Sequence, residues 1–281
     1  MRISIPSITM GGLAGACLAY FDYGVWSLVA MFLVHSLTST LLFWSTSKWR
    51  PHWVFKIQKF KQHFNFGYKL NLSGIIDDLF ANIYAVIIGK FFAPIMVGYY
   101  NRAETLKQFP VLNISEVINN ATYPVFSEIK DDNPRLKRAY KRILQLVVFL
   151  IAPMLLVMAA LAEPFFRFLF TEKWLPAVPY FQILCLNGIL YPINSYNLTI
   201  LKLKGRTDLH LKLEVFKKVV TVAVLLISFQ YGVFGLLYGS VVLSIVAFFV
   251  NSRYAGRLID YGTWEQIKDV VPSIFLGMVT C

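Results

Sequence analysis

Charged side chains are scarce in this sequence of 281 residues. Asp, Glu, Lys and Arg make up 15% of it, whereas a soluble domain usually has about 25%. Hydrophobic residues reach 57% and the mean hydropathy is +0.58. Residues 143–162 contain no charged side chain, and a run of this length can cross ~30 Å of hydrocarbon. The composition therefore excludes an ordinary soluble domain and predicts an integral membrane protein.

Motifs for nucleotide, metal and acyl-transfer chemistry are also lacking. The sequence contains no Gly-x-x-x-x-Gly-Lys-Ser/Thr loop, no His-Glu-x-x-His helix and no Gly-x-Ser-x-Gly elbow. No pair among the few cysteines and histidines has metal-ligand or redox spacing; these residues are Cys17, Cys185, Cys281, His35, His52, His63 and His210. The absences favour a protein that is not an enzyme and that uses no cofactor and no metal.

What the sequence does contain is a series of long apolar runs. Eight are predicted to span the membrane, at approximately 3–20, 25–45, 70–89, 108–127, 143–162, 178–201, 213–229 and 233–250. A ninth begins near Val270 and reaches the last residue after about twelve positions, which is too short to span. The predicted fold class is an all-α, polytopic transmembrane helix bundle with about eight full spans and one truncated span.

Basic residues are distributed unevenly between the connecting segments. One set of alternate segments holds 22 of the 27 Lys and Arg residues and the other holds 5. The positive-inside rule therefore predicts that Met1 and the 46–69 loop are cytoplasmic. Because most basic residues fall in the segments predicted to be cytoplasmic, we interpret the net charge of +12 as a feature of the membrane surface. No nucleic acid partner is therefore expected. The basic helix RLKRAYKRIL is predicted to lie at the cytoplasmic headgroup surface.

Polar side chains interrupt the third span. Asn71, Gly74, Asp78 and Asn82 recur at i, i+3, i+7 and i+11, which places them on one helical face. Asp77 lies about 100° around the helix from Asp78. Because an Asp at the centre of a span costs roughly 2.5–3.5 kcal/mol on the insertion scale, this stripe is expected to face protein or water.

The fourth span repeats the pattern with Asn113, Glu116 and Asn120. Two interpretations stay open for both stripes, a water-accessible cavity and interhelical packing through hydrogen bonds. Further polar positions lie close to one face of the sixth span, at Asn187, Asn194 and Asn197.

The outer loop after the third span holds Lys90, Arg102, Glu104 and Lys107. These residues could attract an anionic headgroup such as a diphosphate, or form a solvated rim. The candidate substrate or cavity residues are Asp77, Asp78, Asn82, Asn113, Glu116, Asn120, Arg102 and Lys107.

Several strings, in the same order along nearly the whole chain, resemble the lipopolysaccharide/polysaccharide flippase family of the multidrug/oligosaccharidyl-lipid/polysaccharide exporter superfamily. They are YGVWSLVA, WRPHWVF, FNFGYKL, IIGKFFAPIMVGYYNRAETLKQFP, NATYPVFSEIKDDNPRLKRAYKRI, TEKWLPAVPYFQILCLNGIL and LKLKGRTDLHLKLEV. The resemblance implies a two-lobe exporter fold. Residues 1–45 would be the last two helices of the N-terminal lobe, 46–66 the cytoplasmic inter-lobe loop, and 67–281 a truncated C-terminal lobe. One departure is Tyr84, where relatives often have an acidic residue.

The resemblance further implies a flippase of the bacterial inner membrane that moves an undecaprenyl-diphosphate-linked oligosaccharide by alternating access. Its expected partners are the lipid-linked oligosaccharide, membrane lipids, a glycan polymerase and the export machinery. Three alternatives stay open: a drug/cation antiporter of the same superfamily, a membrane glycan polymerase or ligase, and a non-functional fragment. The polymerase would need a large periplasmic loop, and the outer loops predicted here are about 18 residues or shorter.

Overall fold

A computed structural model describes residues 3–47 and 56–279. The chain is 91% helical, and no strand is present among those residues. Each predicted span falls on a helix or on two consecutive helices, which confirms the all-α polytopic bundle. The chain divides into two compact units, residues 1–57 and 58–281.

The first unit is a pair of helices, α1 (Ser4–Tyr20) and α2 (Val25–Thr46). They approach closely because α1 presents glycine to α2. A Cβ placed on Gly11 would lie 2.9 Å from the main-chain oxygen of Met31, and one on Gly15 would lie 2.9 Å from the Met31 Cβ. Small residues four positions apart permit this close packing of membrane helices, and here they fix the face by which α1 contacts α2.

The second unit contains the remaining helices: α3 (Ile57–Ala81), α4 (Ile83–Phe91), α5 (Pro94–Glu128), α6 (Asn133–Ala160), α7 (Ala162–Phe170), α8 (Val178–Leu203), α9 (Thr207–Phe229), α10 (Gly232–Ile259) and α11 (Thr263–Val279). A 3-10 turn, Glu172–Ala177, connects α7 to α8. Helix α8 is central, because it packs against α5, α6, α9 and α10. Its buried side chains include Phe181, Leu184 and Tyr196.

Apolar side chains also cover much of the surface. Leu79, Phe109 and Phe168 are 72%, 72% and 88% exposed, which is the burial pattern expected of a protein whose surroundings are lipid. Four segments among the described residues are individually long and apolar enough to cross a bilayer; they are Val25–Thr46, Gly67–Phe91, Asn133–Ala160 and Gly232–Ile259. The larger count of eight spans stays a prediction.

Two segments predicted as loops are largely helical in the structure. Residues 57–66, assigned to the inter-lobe loop, belong to α3, and residues 48–55 of that loop lie outside the described residues. The outer loop after the third span is also mostly helical. Lys90 lies in α4, whereas Arg102, Glu104 and Lys107 lie in α5, which begins at Pro94. Proline is favoured at the first position of a helix, because the N–H that it lacks would have no partner within the helix there. The sequence is therefore compatible with a helix that begins at Pro94.

The basic helix predicted at the headgroup surface is the first part of α6 and continues into the apolar part of that helix. Lys137 forms an ion pair of 2.8 Å with Glu265, and Lys141 one of 2.8 Å with Asp269. Both acids belong to α11, so one face of the basic segment is used for packing between helices.

Candidate functional site

The polar stripe of the third span lies on the surface of the second unit. Asn71, Asp78 and Asn82 are exposed and Gly74 is half-buried. Asn82 also interrupts the helix, since α3 ends at Ala81 and α4 begins at Ile83. Within residues 3–47 and 56–279, no side chain forms a hydrogen bond or ion pair with the Asp78 carboxylate. The stripe is therefore polar surface that this unit leaves available.

Asp77 has a different environment from its neighbour. It is half-buried, and its Oδ1 lies 2.7 Å from the Lys218 Nζ of α9. The same ammonium group lies 5.5 Å from the centre of the Phe80 ring. The two adjacent aspartates thus face different partners, and Asp77 connects α3 to α9.

Asp77 belongs to a group of four charges that we call the α3–α9 ion cluster: Asp77, Glu214, Lys217 and Lys218. Glu214 is buried, and its carboxylate lies 2.5 Å from the Lys217 Nζ and 3.9 Å from that of Lys218. Two carboxylates and two ammonium groups balance, which limits the cost of burying them. Sequence reasoning missed Glu214, although Glu-x-x-Lys-Lys places both lysines within reach on one helix.

A contact beside this cluster strengthens the same junction. His210 Nδ1 of α9 lies 3.3 Å from the Ser73 Oγ of α3, one helical turn before Asp77. Both side chains are buried. Helices α3 and α9 are therefore joined through polar side chains at two successive turns.

The polar stripe of α5 is also exposed. Asn113, Glu116 and Asn120 lie on the surface, and Asn113 Nδ2 donates to the Phe109 carbonyl oxygen of its own helix at 2.6 Å. Asn119, beside them, has a buried Oδ1 that no described group contacts with a hydrogen bond. In the described part of the chain, no hydrogen bond or ion pair joins this stripe to that of α3 and α4.

Tyr84 occupies the position where the family resemblance leads us to expect an acid. Its ring stacks on Tyr100 of α5, with 6.4 Å between the ring centres. The Tyr84 hydroxyl is buried and has no hydrogen-bond partner among residues 3–47 and 56–279. The side chain thus packs α4 against α5 while carrying a polar group that the described chain leaves unsatisfied.

The two basic candidates on α5 do not form a solvated rim together. Lys107 is buried, and its Nζ lies 2.6 Å from the Glu104 carboxylate. Its aliphatic stem passes Gly188 of α8, where an added Cβ would lie 3.0 Å from the Lys107 Cδ. Arg102 is exposed, and its guanidinium lies 4.8 Å from the Phe170 ring centre and 5.0 Å from that of Trp174. Of these two residues, only Arg102 is exposed and so accessible to a ligand.

The three asparagines of α8 pack against other helices. Asn187 Nδ2 donates to the Ser240 Oγ of α10 at 3.4 Å, and Asn251 of α10 donates to the Asn194 Oδ1 at 3.0 Å. Asn197 and Gln266 of α11 form a buried reciprocal amide pair with distances of 3.0 and 3.2 Å. For α8, the packing interpretation of polar residues in a span is therefore the one that the geometry supports.

Comparison with known proteins identifies what the chain is similar to. Residues 1–179 match the model of a family described as "Polysaccharide biosynthesis protein". The chain is 31% identical to the teichuronic acid biosynthesis protein TuaB of Bacillus subtilis over 60% of its own length and 35% of the relative. It is 27% identical to the lipopolysaccharide biosynthesis protein WzxC of Escherichia coli over 76% of its length and 44% of the relative.

The third relative is named as a transport protein. The succinoglycan biosynthesis transport protein ExoT of Rhizobium meliloti is 27% identical over 69% of this chain and 39% of that protein. The chain thus spans less than half the length of each of these three relatives. No solved structure matches.

Proposed function

The chain belongs to the polysaccharide flippase family of polysaccharide biosynthesis proteins, and from this premise we propose that it moves a lipid-linked oligosaccharide across a bacterial inner membrane. The observation that carries the proposal, beyond the family, is the pair of exposed polar stripes on two helices that the sequence predicts to span the membrane. Sugar hydroxyls both donate and accept hydrogen bonds, and asparagine and carboxylate side chains are suitable partners for them.

The proposed substrate is an undecaprenyl-diphosphate-linked oligosaccharide. Asp78, Asn82, Glu116 and Asn120, with Asn113, are exposed and would contact the glycan in a cavity that other parts of the transporter complete. Arg102 would meet the diphosphate, because its guanidinium is fixed over two rings while its N–H groups stay available for bidentate contact. Asp77 is assigned a structural role instead, since it pairs with Lys218.

The proposed mechanism is alternating access, in which one lobe moves against another around the cavity. Residues 1–45 would belong to the N-terminal lobe and 67–281 to the C-terminal lobe, with Met1 and residues 46–69 on the cytoplasmic side. No covalent bond is made or broken in such a cycle, so the protein would act as a transporter rather than an enzyme. A glycan polymerase and the export machinery would consume the product.

The test is complementation of a strain that lacks the gene, with the intact gene product restored. We expect deletion to remove the surface polysaccharide and to accumulate the lipid-linked oligosaccharide on the cytoplasmic side, and wild-type protein to reverse both. Asp78→Asn and Glu116→Gln should reduce transport at normal protein levels. Glu163→Gln is the matched control, because Glu163 is an exposed acid outside both stripes.

Two results would count against the proposal. Normal surface polysaccharide in the double variant Asp78→Asn/Glu116→Gln, at wild-type protein levels, would remove the stripes from the transport path. Altered drug resistance with unchanged polysaccharide in the deletion strain would instead identify the drug/cation antiporter of the same superfamily.

A further inference from the structure

A groove lies where α10 ends and α11 begins, outside the polar stripes. It has a volume of about 930 Å³ and is lined by Phe249, Val250, Arg253, Tyr254, Arg257 and Trp264, among others. Sites that hold a small amphipathic ligand combine apolar walls with a few polar groups that fix its orientation. The groove has both kinds of lining.

The polar part of the groove includes two arginines that form no ion pair with any described residue. Arg253 and Arg257 are both exposed, and a spacing of four residues places them on the same face of α10. In the described part of the chain, neither forms an ion pair. The nearby basic residues Lys137 and Lys141 differ, because each has an acid of α11 at 2.8 Å. The two guanidinium groups are therefore available to an anion from outside the chain.

The turn that borders the groove is held rigidly. A Cβ on Gly256 would lie 2.4 Å from the Tyr261 carbonyl oxygen, so the turn packs directly on α10. The buried Tyr261 hydroxyl donates to Asp269 Oδ2 at 2.7 Å, and Gln266 donates to the Tyr261 carbonyl oxygen at 3.2 Å. Burial and the Asp269 carboxylate raise the pKa of Tyr261, so this donor keeps its proton. A rigid border is what a preformed site requires.

The apolar part of the groove lies towards the middle of α10. Phe249 and Val250 come about one helical turn before Arg253, and Phe249 is 47% exposed. Trp264 also lines the groove and is 73% exposed, and aromatic residues of this kind are common at membrane–water interfaces. A ligand here would place an anionic group at the arginines and hydrocarbon along α10.

We propose that this groove binds the phosphate headgroup of an anionic glycerophospholipid. Charge balance favours this class of lipid: two arginines and the lining carboxylate Asp260 give a local charge of +1. That matches one phosphodiester, which carries a single negative charge, better than a diphosphate with two or three. The proposal is independent of the transported substrate, because the groove contains none of the residues assigned to transport.

The experiment titrates the intact protein, in a neutral detergent, with phosphatidylglycerol or with zwitterionic phosphatidylcholine, and counts bound lipids by native mass spectrometry. We expect wild-type protein to retain phosphatidylglycerol selectively. Arg253→Gln/Arg257→Gln should bind it about tenfold more weakly, since both charge-assisted hydrogen bonds to the phosphate are lost at an exposed site. Arg253→Lys/Arg257→Lys should retain part of the affinity.

The matched control is Arg135→Gln/Arg138→Gln, which removes the same charge from two exposed arginines of α6. It should bind phosphatidylglycerol as wild type does. An equal loss in both double variants would overturn the proposal, because attraction would then depend on overall charge. Displacement of phosphatidylglycerol by inorganic phosphate, or more readily by a polyprenyl diphosphate, would also overturn it. Thermal unfolding of each variant checks that the groove is folded.

Discussion

Glu214 is predicted to be the most sensitive member of the α3–α9 ion cluster. Its side chain is 4% exposed, and its carboxylate lies between the ammonium groups of Lys217 and Lys218. Glu214→Gln keeps the shape but removes the charge, so Asp77 alone would compensate both lysines. Removing one partner of a buried pair costs about 3–5 kcal/mol. Because the lysine side chains are 16% and 21% exposed, we expect about 2–3 kcal/mol.

Thermal unfolding of the purified protein in detergent measures this loss. For a chain of this size, 1 kcal/mol shifts the midpoint by about 2–4 °C, so Glu214→Gln should lower Tm by roughly 5–10 °C. Glu163→Gln is the control, because that acid is 66% exposed in its pair with Arg167 and such pairs contribute at most about 1 kcal/mol. Equal midpoints for the two variants would show that the buried cluster does not stabilise the fold.

A second variant separates charge imbalance from lost packing. Glu214→Leu/Lys217→Leu removes one charge of each sign and leaves Asp77 paired with Lys218 at 2.7 Å. Replacing both partners of a buried pair by apolar groups is often nearly neutral, so the double variant should recover most of the stability that Glu214→Leu alone loses. If the two losses simply add, the residues do not act as a pair.

Three further predictions concern the second unit. Gly256→Ala should lower the free energy of unfolding by about 1–3 kcal/mol through overpacking, because its Cβ would lie 2.4 Å from the Tyr261 carbonyl oxygen. Gly262→Ala is the control and should leave Tm unchanged, because its Cβ would meet nothing within 4 Å. Equal changes in Tm for the two variants would contradict this prediction. Asn197→Leu should cost about 1–3 kcal/mol because the buried Gln266 Oε1 loses its donor, while Nε2 keeps only the Tyr261 carbonyl oxygen, and Asn197→Leu/Gln266→Leu should be closer to wild type in the same assay. Arg102→Gln should lower Tm by only a few degrees, since each cation–π contact contributes about 0.5–1 kcal/mol at an exposed site, but should impair glycan export strongly; normal export would exclude Arg102 from the transport path.

The helices could be predicted from hydropathy, but their ends could not. Residues 94–107 belong to α5, yet Glu104 and Lys107 made this segment resemble a polar loop. Lys107 is buried because its aliphatic stem packs beside Gly188 of α8 and its ammonium group meets Glu104 one turn earlier. A hydropathy window counts both residues as polar. Such a window takes no account of an ion pair within the same helix, nor of an aliphatic stem that packs beside a glycine distant in sequence.

The separation of Asp77 from Asp78 could be predicted, whereas the partner of Asp77 could not. An angle of about 100° between successive residues is fixed by helix geometry, and it placed only Asp78 on the face with Asn71 and Asn82. Lys218, which pairs with Asp77, belongs to α9, and its approach depends on how the intervening helices pack. The angle between neighbouring residues can be derived from local sequence, whereas the packing of α9 against α3 cannot.

Hydrogen-bond partners distinguish the asparagines of α8 from those of α5. Both sets recur at helical spacing in apolar helices, so sequence alone assigns them the same alternatives. Along α8 each has a hydrogen-bonding partner on α10 or α11, such as Ser240 or Gln266, and such bonds are an adequate reason for a polar residue in a span. No helix of the described chain offers partners of this kind to the exposed stripes. Since an aspartate facing lipid costs roughly 2.5–3.5 kcal/mol on the insertion scale, Asp78 requires water or a polar partner from outside the described residues to offset that cost.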